Sequence, residues 1–414
     1  MPSESYWDTE GHEPYTFYDA VREKGDVIWD DQMQAWLVVS AKAARTVMLD
    51  DSLFVQPYAS MQAGDTYRAL RLNNPRSFQF LTGEKHRAMH RWWVQDLLSP
   101  RWVATYRSTA VDPVVKQVLD DLEQQHGVDL VDEYAERIPI AVFAGLLGLP
   151  EQDWEALAPL KAANDRIADF ASIANSLKLE ATPSDRTIEI RDRAVAAAES
   201  LNHYLRPIVE ARRDGRGDDF VSRLWAGGTQ IWDDWNEIDT LDSCRRLLFA
   251  GSDTTTHAIA NAFHMLLTDP ALRARVTPIN PGSVTSFVDE VLRLNGSIQF
   301  RPRRAMSDTE LAGTRIAAGD MVLVVLQAAN RDPAQFACPH AADLERTNIR
   351  NHLAFNLGPR TCPGANLARA ELVAAITEGL RRFPSMRLAP DARAPRFEGF
   401  LMRSYRPLDV LLHG

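Results

Sequence analysis

The stretch that decides the fold is residues 355–364, which read FNLGPRTCPG. A single cysteine, Cys362, stands between two glycines, and a helical pattern follows it at once. The apolar face of that pattern consists of Leu372, Ile376 and Leu380. Because Pro363 suits a first helical turn, we expect Cys362 at or just before a helix N-terminus. The partial positive charge there favours a thiolate, which is a natural axial ligand for haem iron.

Other residues of the stretch support a ligand site. Gly358 and Gly364 would let the backbone approach a flat ligand closely, and Phe355 could cover the sulfur. Taken alone, Cys362 also fits a buried structural cysteine, the commoner role of a lone intracellular cysteine. The full pattern Phe-x-x-Gly-x-Arg-x-Cys-x-Gly, with Arg360 as its arginine, resembles the haem-binding loop of the cytochrome P-450 family.

Bulk properties fit a soluble globular protein, with 45% hydrophobic and 25% charged residues among 414. We expect one domain over residues 1–414, with a β-containing N-terminal part at about 25–60 and a helical haem-binding body at about 83–414. Three widely separated cysteines disfavour a disulfide framework and favour the cytoplasm. A net charge of −10 argues against general binding to nucleic acid or anionic membranes.

Membrane attachment is not expected. Residues 1–19 are polar and acidic, without the basic and apolar regions of a signal peptide or anchor. No stretch supplies the roughly 20 apolar residues that a bilayer-spanning helix needs.

Periodicity predicts several further elements. We expect a hairpin from residues 27–29 and 36–39, a long helix at 235–268, a shorter helix at 283–294, and a buried strand at 321–326. A terminal hairpin is expected from residues 399–402 and 408–412.

Residues 83–93 form a basic amphipathic helical pattern, which on its own most often means a solvated surface. The corresponding helix of the family reads His-x-x-x-Arg, and both residues bond to a haem propionate. Here His86 matches the first position, but the second is His90 and is followed by Arg91. The sequence leaves open which of the latter two serves.

Residues 250–256 read AGSDTTT, a group of poor helix formers inside a helical pattern. A kinked polar helix would account for them. The stretch also resembles the acid–alcohol pair above the haem of the family. By that resemblance Ala250 and Gly251 leave room for dioxygen, Thr254 holds water beside it, and Asp253 feeds protons inward.

Two further patterns resemble family motifs. Glu290 and Arg293 match a buried Glu-x-x-Arg pair with a structural role, although surface pairs of this spacing are common. Arg346 is the expected third member of that cluster. Arg303 matches an arginine that binds a haem propionate.

The resemblance implies a mainly α triangular-prism fold with small β-sheets and haem b between two long helices. Cys362 would ligate the iron, while His86, Arg303 and Arg360 would neutralise the propionates. The implied activity is insertion of one atom of dioxygen into a small apolar or aromatic organic substrate, by hydroxylation or O-dealkylation. Oxidative coupling, epoxidation or nitration in secondary metabolism are the alternatives.

Electrons would come from a separate ferredoxin and its NAD(P)H-dependent reductase, because no flavin or iron–sulfur motif is visible. A basic patch near the cysteine would steer that acidic partner. Its members would be Arg87, Arg91, Arg101, Arg350 and Arg369. A haem-thiolate sensor is a remote alternative, since it would need neither Asp253 and Thr254 nor a gating loop.

The resemblance also assigns the substrate pocket, and segment 166–176 as a lid over it. The pocket residues would be Phe78, Phe80, Phe170, Arg246, Leu247, Phe249, Ile298, Gln299, Phe300, Phe400 and Leu401. This mixture suits a compact apolar or aromatic molecule. Arg246 is unusual there: it either anchors a carboxylate or reaches the surface, and we favour the surface.

Overall fold

The computed structural model describes residues 5–57, 74, 76–150, 153–175 and 184–413. Helices dominate these ranges. They are α1 (Tyr15–Lys24), α2 (Ala41–Leu49), α3 (Gly83–Trp92), α4 (Pro100–Tyr106), α5 (Asp112–Leu122), α6 (Arg137–Leu147), α7 (Trp154–Asn175), α8 (Asp185–Ala211), α9 (Phe220–Ile231), α10 (Glu237–Thr268), α11 (Pro270–Arg275), α12 (Pro281–Asn295), α13 (Leu326–Ala329) and α14 (Ala365–Arg382). The sequence shows no periodicity between residues 51 and 82, and residues 58–73 and 75 of that stretch lie outside the described ranges, as does residue 176 of the expected lid.

The longest of these helices, α10, runs through the body for 32 residues and packs against α6, α8, α12 and α14. A capping box starts it: the Asn236 side chain accepts from the Ile238 N–H, while Asp239 accepts from the Asn236 N–H. Asp269 follows its end and caps α11. The predicted helix at 235–268 is confirmed, and it passes through residues 250–256 without a break.

The main sheet joins distant parts of the chain. Its strand order is β1 (Val27–Asp30), β2 (Ala35–Val38), β8 (Met321–Val325), β5 (Phe300–Ala305) and β3 (Phe54–Val55). The hairpin of β1 and β2 is confirmed, and so is the buried strand β8, which pairs in parallel with β2. The N-terminal strands and the later body therefore share one sheet and one apolar cluster.

The smaller sheets correct one prediction. β10 (Arg396–Gly399) pairs with β11 (Arg403–Arg406), so residues 400–402 form its turn. β12 (Asp409–Leu411) pairs instead with β4 (Gly127–Asp129) and β9 (Arg387–Leu388). The expected pairing of 399–402 with 408–412 is therefore wrong, because the alternation of apolar residues does not identify the partner strand. β6 (Thr309–Leu311) and β7 (Thr314–Ile316) form a separate hairpin.

The result is a mainly α structure with small β-sheets, as predicted. A large apolar cluster joins the helices, and a second lies around the main sheet. Among the described residues, none of the helices combines the length and apolarity required to cross a bilayer.

Candidate active site

A cavity of about 330 Å³ lies where α10 meets the loop before α14. Cys362 borders it from the loop, and Ala250, Gly251 and Thr254 border it from α10. His86 of α3 borders it as well. The fold thus brings together three stretches that are far apart in the sequence.

Local hydrogen bonds shape the cysteine loop. The Cys362 N–H donates to the Phe355 carbonyl at 2.8 Å, and the Asn356 side chain donates to the Arg360 carbonyl at 3.1 Å. Helix α14 begins at Ala365, with Gly364 as its N-cap, two residues later than predicted. The face formed by Leu372, Ile376 and Leu380 is buried, as expected.

The ionisation of Cys362 depends on opposing effects. Burial raises the pKa of the thiol, while the Gly364 N–H, Arg301 and Arg369 act to lower it. Burial has the larger effect, so the helix terminus and the two arginines do not by themselves lower this pKa below its ordinary value. A cation bound at the sulfur would reverse this balance.

Gly358 serves the packing of the loop. Its φ is +67°, and a Cβ there would lie 3.0 Å from the Met48 carbonyl of α2. The positive φ and the close approach to α2 therefore already require glycine at this position. A Cβ on Gly364 would stand 3.8 Å from the Cys362 sulfur, which is ordinary contact.

Helix α3 presents its two histidines to the cavity. His86 stacks on Phe78 with ring centroids 5.1 Å apart, and its Nδ1 is buried without a hydrogen-bond partner among the described residues. Burial, with Arg360 and His90 nearby, lowers the pKa of His86 to about 3. His90 bonds through Nε2 to the Thr361 carbonyl at 2.7 Å. Arg91 is exposed and does not border the cavity.

Two arginines border the same cavity. Arg360 donates to the Leu81 carbonyl at 2.8 Å. On β5 the arginine that reaches the cavity is Arg301, whereas Arg303 is buried and donates to the Pro302 carbonyl at 2.8 Å. Sequence reasoning missed Arg301. Its spacing of two from Arg303 was the available signal, because alternate strand residues share a face.

These groups fit haem b. The Cys362 sulfur would hold the haem iron, and cationic or N–H-bearing side chains would bind the two propionates. The buried, unpartnered Nδ1 of His86 gains an explanation from such a ligand.

The middle of α10 is organised by hydroxyl groups and close packing. Thr254 Oγ1 donates to the Ala250 carbonyl at 2.8 Å, and Ser297 Oγ donates to the Thr254 carbonyl. A Cβ on Gly251 would lie 2.1 Å from the ring of Phe143. The close contact with Phe143 therefore requires glycine at position 251, whether or not this residue also leaves room for dioxygen.

Asp253 faces a second cavity of about 580 Å³ on another side of α10. Its Oδ1 accepts from Asn164 Nδ2 at 3.0 Å. Burial and the charge of Asp165 raise the pKa of Asp253 to about 7, although Lys161 opposes the shift. At neutral pH this carboxyl can therefore hold or release a proton.

The second cavity is lined by an ion-pair network that sequence reasoning missed. Lys161 Nζ lies 2.6 Å from Asp165 and 3.3 Å from Glu136, which also binds Arg406 at 3.0 Å. The two cavities share the lining residues Ser172 and Met402. The two cavities are thus neighbours, and the ion-pair network borders the second of them.

The expected substrate residues divide into two sets. Those that border the first cavity are Phe78, Arg246, Leu247, Phe249, Ile298 and Leu401. Those that do not border it are Phe80, Phe170, Gln299, Phe300 and Phe400. Strand alternation explains part of this result: Phe300 packs into the sheet cluster with Phe400, which borders the second cavity.

The expectation that Arg246 reaches the surface is wrong. Its side chain is 13% exposed and borders the cavity. Hydrogen bonds to Gln79 and Ser77, at 2.9 and 2.6 Å, hold it there. Spacing along the helix could not reveal these partners from another segment.

The expected cluster of Glu290, Arg293 and Arg346 is present in the structure. Glu290 and Arg293 have fully buried side chains and bond at 2.6 Å. Arg346 donates to the other Glu290 oxygen at 3.0 Å. Arg293 also donates to the carbonyls of Asn330, Pro339 and Ala341.

The expected basic patch is only partly exposed. Arg87, Arg91, Arg101 and Arg350 are exposed, and Arg350 lies 3.4 Å from Asp289. Arg369 is 20% exposed and binds Asp289 at 2.7 Å, so its expected exposure is wrong. Its guanidinium lies 4.6 Å from the ring centre of Phe355, over the cysteine loop.

Comparisons with known proteins agree with this geometry. The Cytochrome P450 family profile matches residues 7–278 and 284–408. Cytochrome P450 105C1 of a Streptomyces species is 33% identical over 387 residues, which cover 91% of this chain and 89% of that protein. Nocardicin C N-oxygenase of Nocardia uniformis subsp. tsuyamanensis is 31% identical over 379 residues, with the same two coverages.

A solved structure supports the fold as well. P450BioI, in complex with acyl carrier protein ligated to hexadec-9Z-enoic acid, matches with a TM-score of 0.83 and 25% identity over 97% of this chain and 99% of that one. The chain belongs to the cytochrome P450 family, whose members are monooxygenases that bind haem b and use dioxygen.

Proposed function

We propose that this chain hydroxylates or O-dealkylates a small, largely apolar or aromatic substrate with electrons from a separate ferredoxin. The observation that carries the proposal is that one cavity is bordered by Cys362, by Thr254 and by apolar side chains such as Leu247 and Phe249. Oxidative coupling, epoxidation and nitration would use the same cavity, and product analysis separates them.

Each residue has a defined task in this proposal. Haem b, when bound, supplies the activation of dioxygen. Cys362 would hold its iron, and His86, Arg301 and Arg360 would bind its propionates. The Thr254 hydroxyl can hold a water molecule at the wall of the first cavity, and Asp253, the preceding residue of α10, can pass protons from the second cavity towards the first. The apolar lining excludes bulk water.

The first test is the carbon monoxide difference spectrum of the reduced protein. We expect a strongly red-shifted Soret band in the wild-type protein and its loss in Cys362→Ser, because only a thiolate ligand donates enough electron density. A wild-type band typical of histidine-ligated haem, or no haem spectrum in haem-replete protein, would contradict the proposal.

A second test concerns Thr254. In Thr254→Ala, the ratio of product formed to NAD(P)H consumed should fall by about tenfold or more, and hydrogen peroxide should be released. The reason is that the variant lacks the hydroxyl group that takes part in proton delivery. Thr268→Ala is the matched control. Thr268 makes the same bond to the carbonyl four residues earlier on α10, but at its exposed end. Equal coupling in both variants would remove Thr254 from the mechanism.

A third test concerns the electron donor. The exposed Arg91 lies on α3, which also contributes to the haem cavity. Arg91→Glu should slow reduction by an acidic ferredoxin about tenfold at low salt and less at high salt, because charge steering is screened. Arg216→Glu is the control, since Arg216 is 86% exposed on the loop before α9. If both substitutions change the stopped-flow reduction rate equally, the basic patch around Arg91 does not steer the ferredoxin.

The proposed location is the cytoplasm. Cys244, Cys338 and Cys362 are all free thiols in the structure. Free thiols persist in reducing compartments, which supports this assignment.

A further inference from the structure

The wall of the first cavity carries an excess of positive charge. Arg246, Arg301 and Arg360 all border it, in a protein whose net charge is −10. The carboxyl group on this wall belongs to Glu371, whose pKa is raised well above its ordinary value by complete burial. His86, with its lowered pKa, adds no charge at neutral pH. Three guanidinium groups therefore border the cavity, and its described lining residues supply no ionised carboxylate. Carboxylates outside the lining are more distant: Asp51 lies 3.8 Å from Arg360, and Asp242 lies 3.8 Å from Arg246.

Haem propionates would balance two of these charges. Arg301 is suited to this task because it borders the same cavity as Cys362, from strand β5. Arg360 belongs to the cysteine loop itself. Arg246 then remains as the cation that the haem does not balance.

Arg246 is held by uncharged partners. One guanidinium nitrogen donates to Gln79 and another to Ser77, while Nε is buried with no acceptor among the described residues. The nearest carboxylate, on Asp242, is 3.8 Å away and is bonded to Arg245 at 3.1 Å. A buried charge in this condition gains from an anion within reach.

The position of Arg246 on α10 sets the geometry of such an anion. Arg246, Ala250 and Thr254 are spaced four residues apart and share one helix face, and all three border the cavity. Eight residues separate Arg246 from Thr254, which is about 12 Å along the helix. Leu247 and Phe249 lie between Arg246 and Thr254 along the helix, and both have apolar side chains that border the same cavity. The cavity thus has a cationic end, an apolar middle and a reactive end.

We propose that the substrate is a carboxylic acid with a compact apolar or aromatic body, and that Arg246 binds its carboxylate. This inference rests on the proposed monooxygenase function and adds the substrate class to it. The amides of Gln79 and Gln56, which also border the cavity, can add hydrogen bonds to the anion. The oxidised carbon then lies at the end of the molecule remote from the carboxylate.

Spectral titration of the ferric holoenzyme tests the proposal. The probes are 4-isopropylbenzoate, cyclohexylacetate and decanoate, each paired with its primary amide, so that members of a pair differ mainly in charge. At least one acid should give a spin-state shift with an affinity about 10- to 100-fold higher than its amide. In Arg246→Gln this ratio should fall to about one while the amide affinity changes little, and Arg246→Lys should retain part of the preference.

The outcomes separate the roles of the two arginines. If Arg246→Gln weakens acid and amide equally, Arg246 only holds the segment of Ser77 and Gln79, and the proposal fails. It fails as well if no acid binds better than its amide, or if Arg301→Gln rather than Arg246→Gln removes the preference.

The carbon monoxide band of each variant is recorded in parallel. Its absence from the wild-type protein would overturn the proposed function itself, whereas a normal band with no acid preference would overturn only this inference.

Discussion

Replacement of Glu290 by alanine is expected to lower the free energy of unfolding by about 3–5 kcal/mol. Both Glu290 and Arg293 have side chains with no exposed surface, and Arg346 bonds to the same carboxylate. Removal of the acid leaves two guanidinium groups, one fully buried and one nearly so, without their shared counter-ion. The cost of an unpaired buried charge, not the strength of the pair itself, sets this magnitude. Urea unfolding of the holoprotein, followed by circular dichroism, measures it.

The chain offers a matched control with almost the same local sequence. Residues 378–381 read EGLR and residues 290–293 read EVLR, and both pairs lie on helices. The side chains of Glu378 and Arg381 are 37% and 59% exposed. We expect Glu378→Ala to change stability by less than about 0.5 kcal/mol, because water screens such a pair. Similar losses in the two variants would show that burial of Glu290 is not what makes it essential.

These two pairs show what local sequence can and cannot predict. The spacing gives the ion pair in both cases, since residues three apart meet on a helix face. Burial depends on what packs over that face, and only the resemblance to a known family distinguished Glu290 from Glu378 in advance. The long helix α10 and the cysteine loop were predictable for a different reason: their caps, glycines and apolar spacing lie within one segment.

The errors concern relations between segments. Arg246 was expected at the surface, but its partners Ser77 and Gln79 lie on another segment, so its burial could not be predicted from the sequence of α10 alone. Arg301 was overlooked because the motif directed attention to Arg303, although both lie on one face of β5. The pKa of Cys362 also depends on several segments, because burial raises it while Gly364, Arg301 and Arg369 act to lower it. Each error involves a distance or a burial that no single segment encodes.

The same limitation applies to Asp253, whose surroundings lead to the second large prediction. Folding raises its pKa from an ordinary value near 3.8 to about 7, chiefly through burial, with Asp165 and Glu136 adding to the shift. The folded protein therefore binds more protons than the unfolded chain between these two pKa values. The contribution of Asp253 to the free energy of unfolding is therefore highest at low pH, and it is lost as the pH rises from the lower to the higher of these two pKa values. The loss between about pH 5 and about pH 8 should be about 3 kcal/mol.

Asp253→Asn removes this titration. From about pH 5 to about pH 8, the free energy of unfolding of the variant should therefore rise by about 3 kcal/mol relative to that of the wild-type protein. Unfolding free energies of both proteins at each pH, measured side by side, test the sign and the size. Asp165→Asn should give a smaller gain, since removal of its charge lowers the pKa of Asp253 without abolishing the burial. Parallel pH profiles for the wild-type protein and Asp253→Asn would mean that Asp253 is already ionised at neutral pH. It would then hold no proton to deliver to the first cavity, and proton delivery at the haem would have to be assigned to another group.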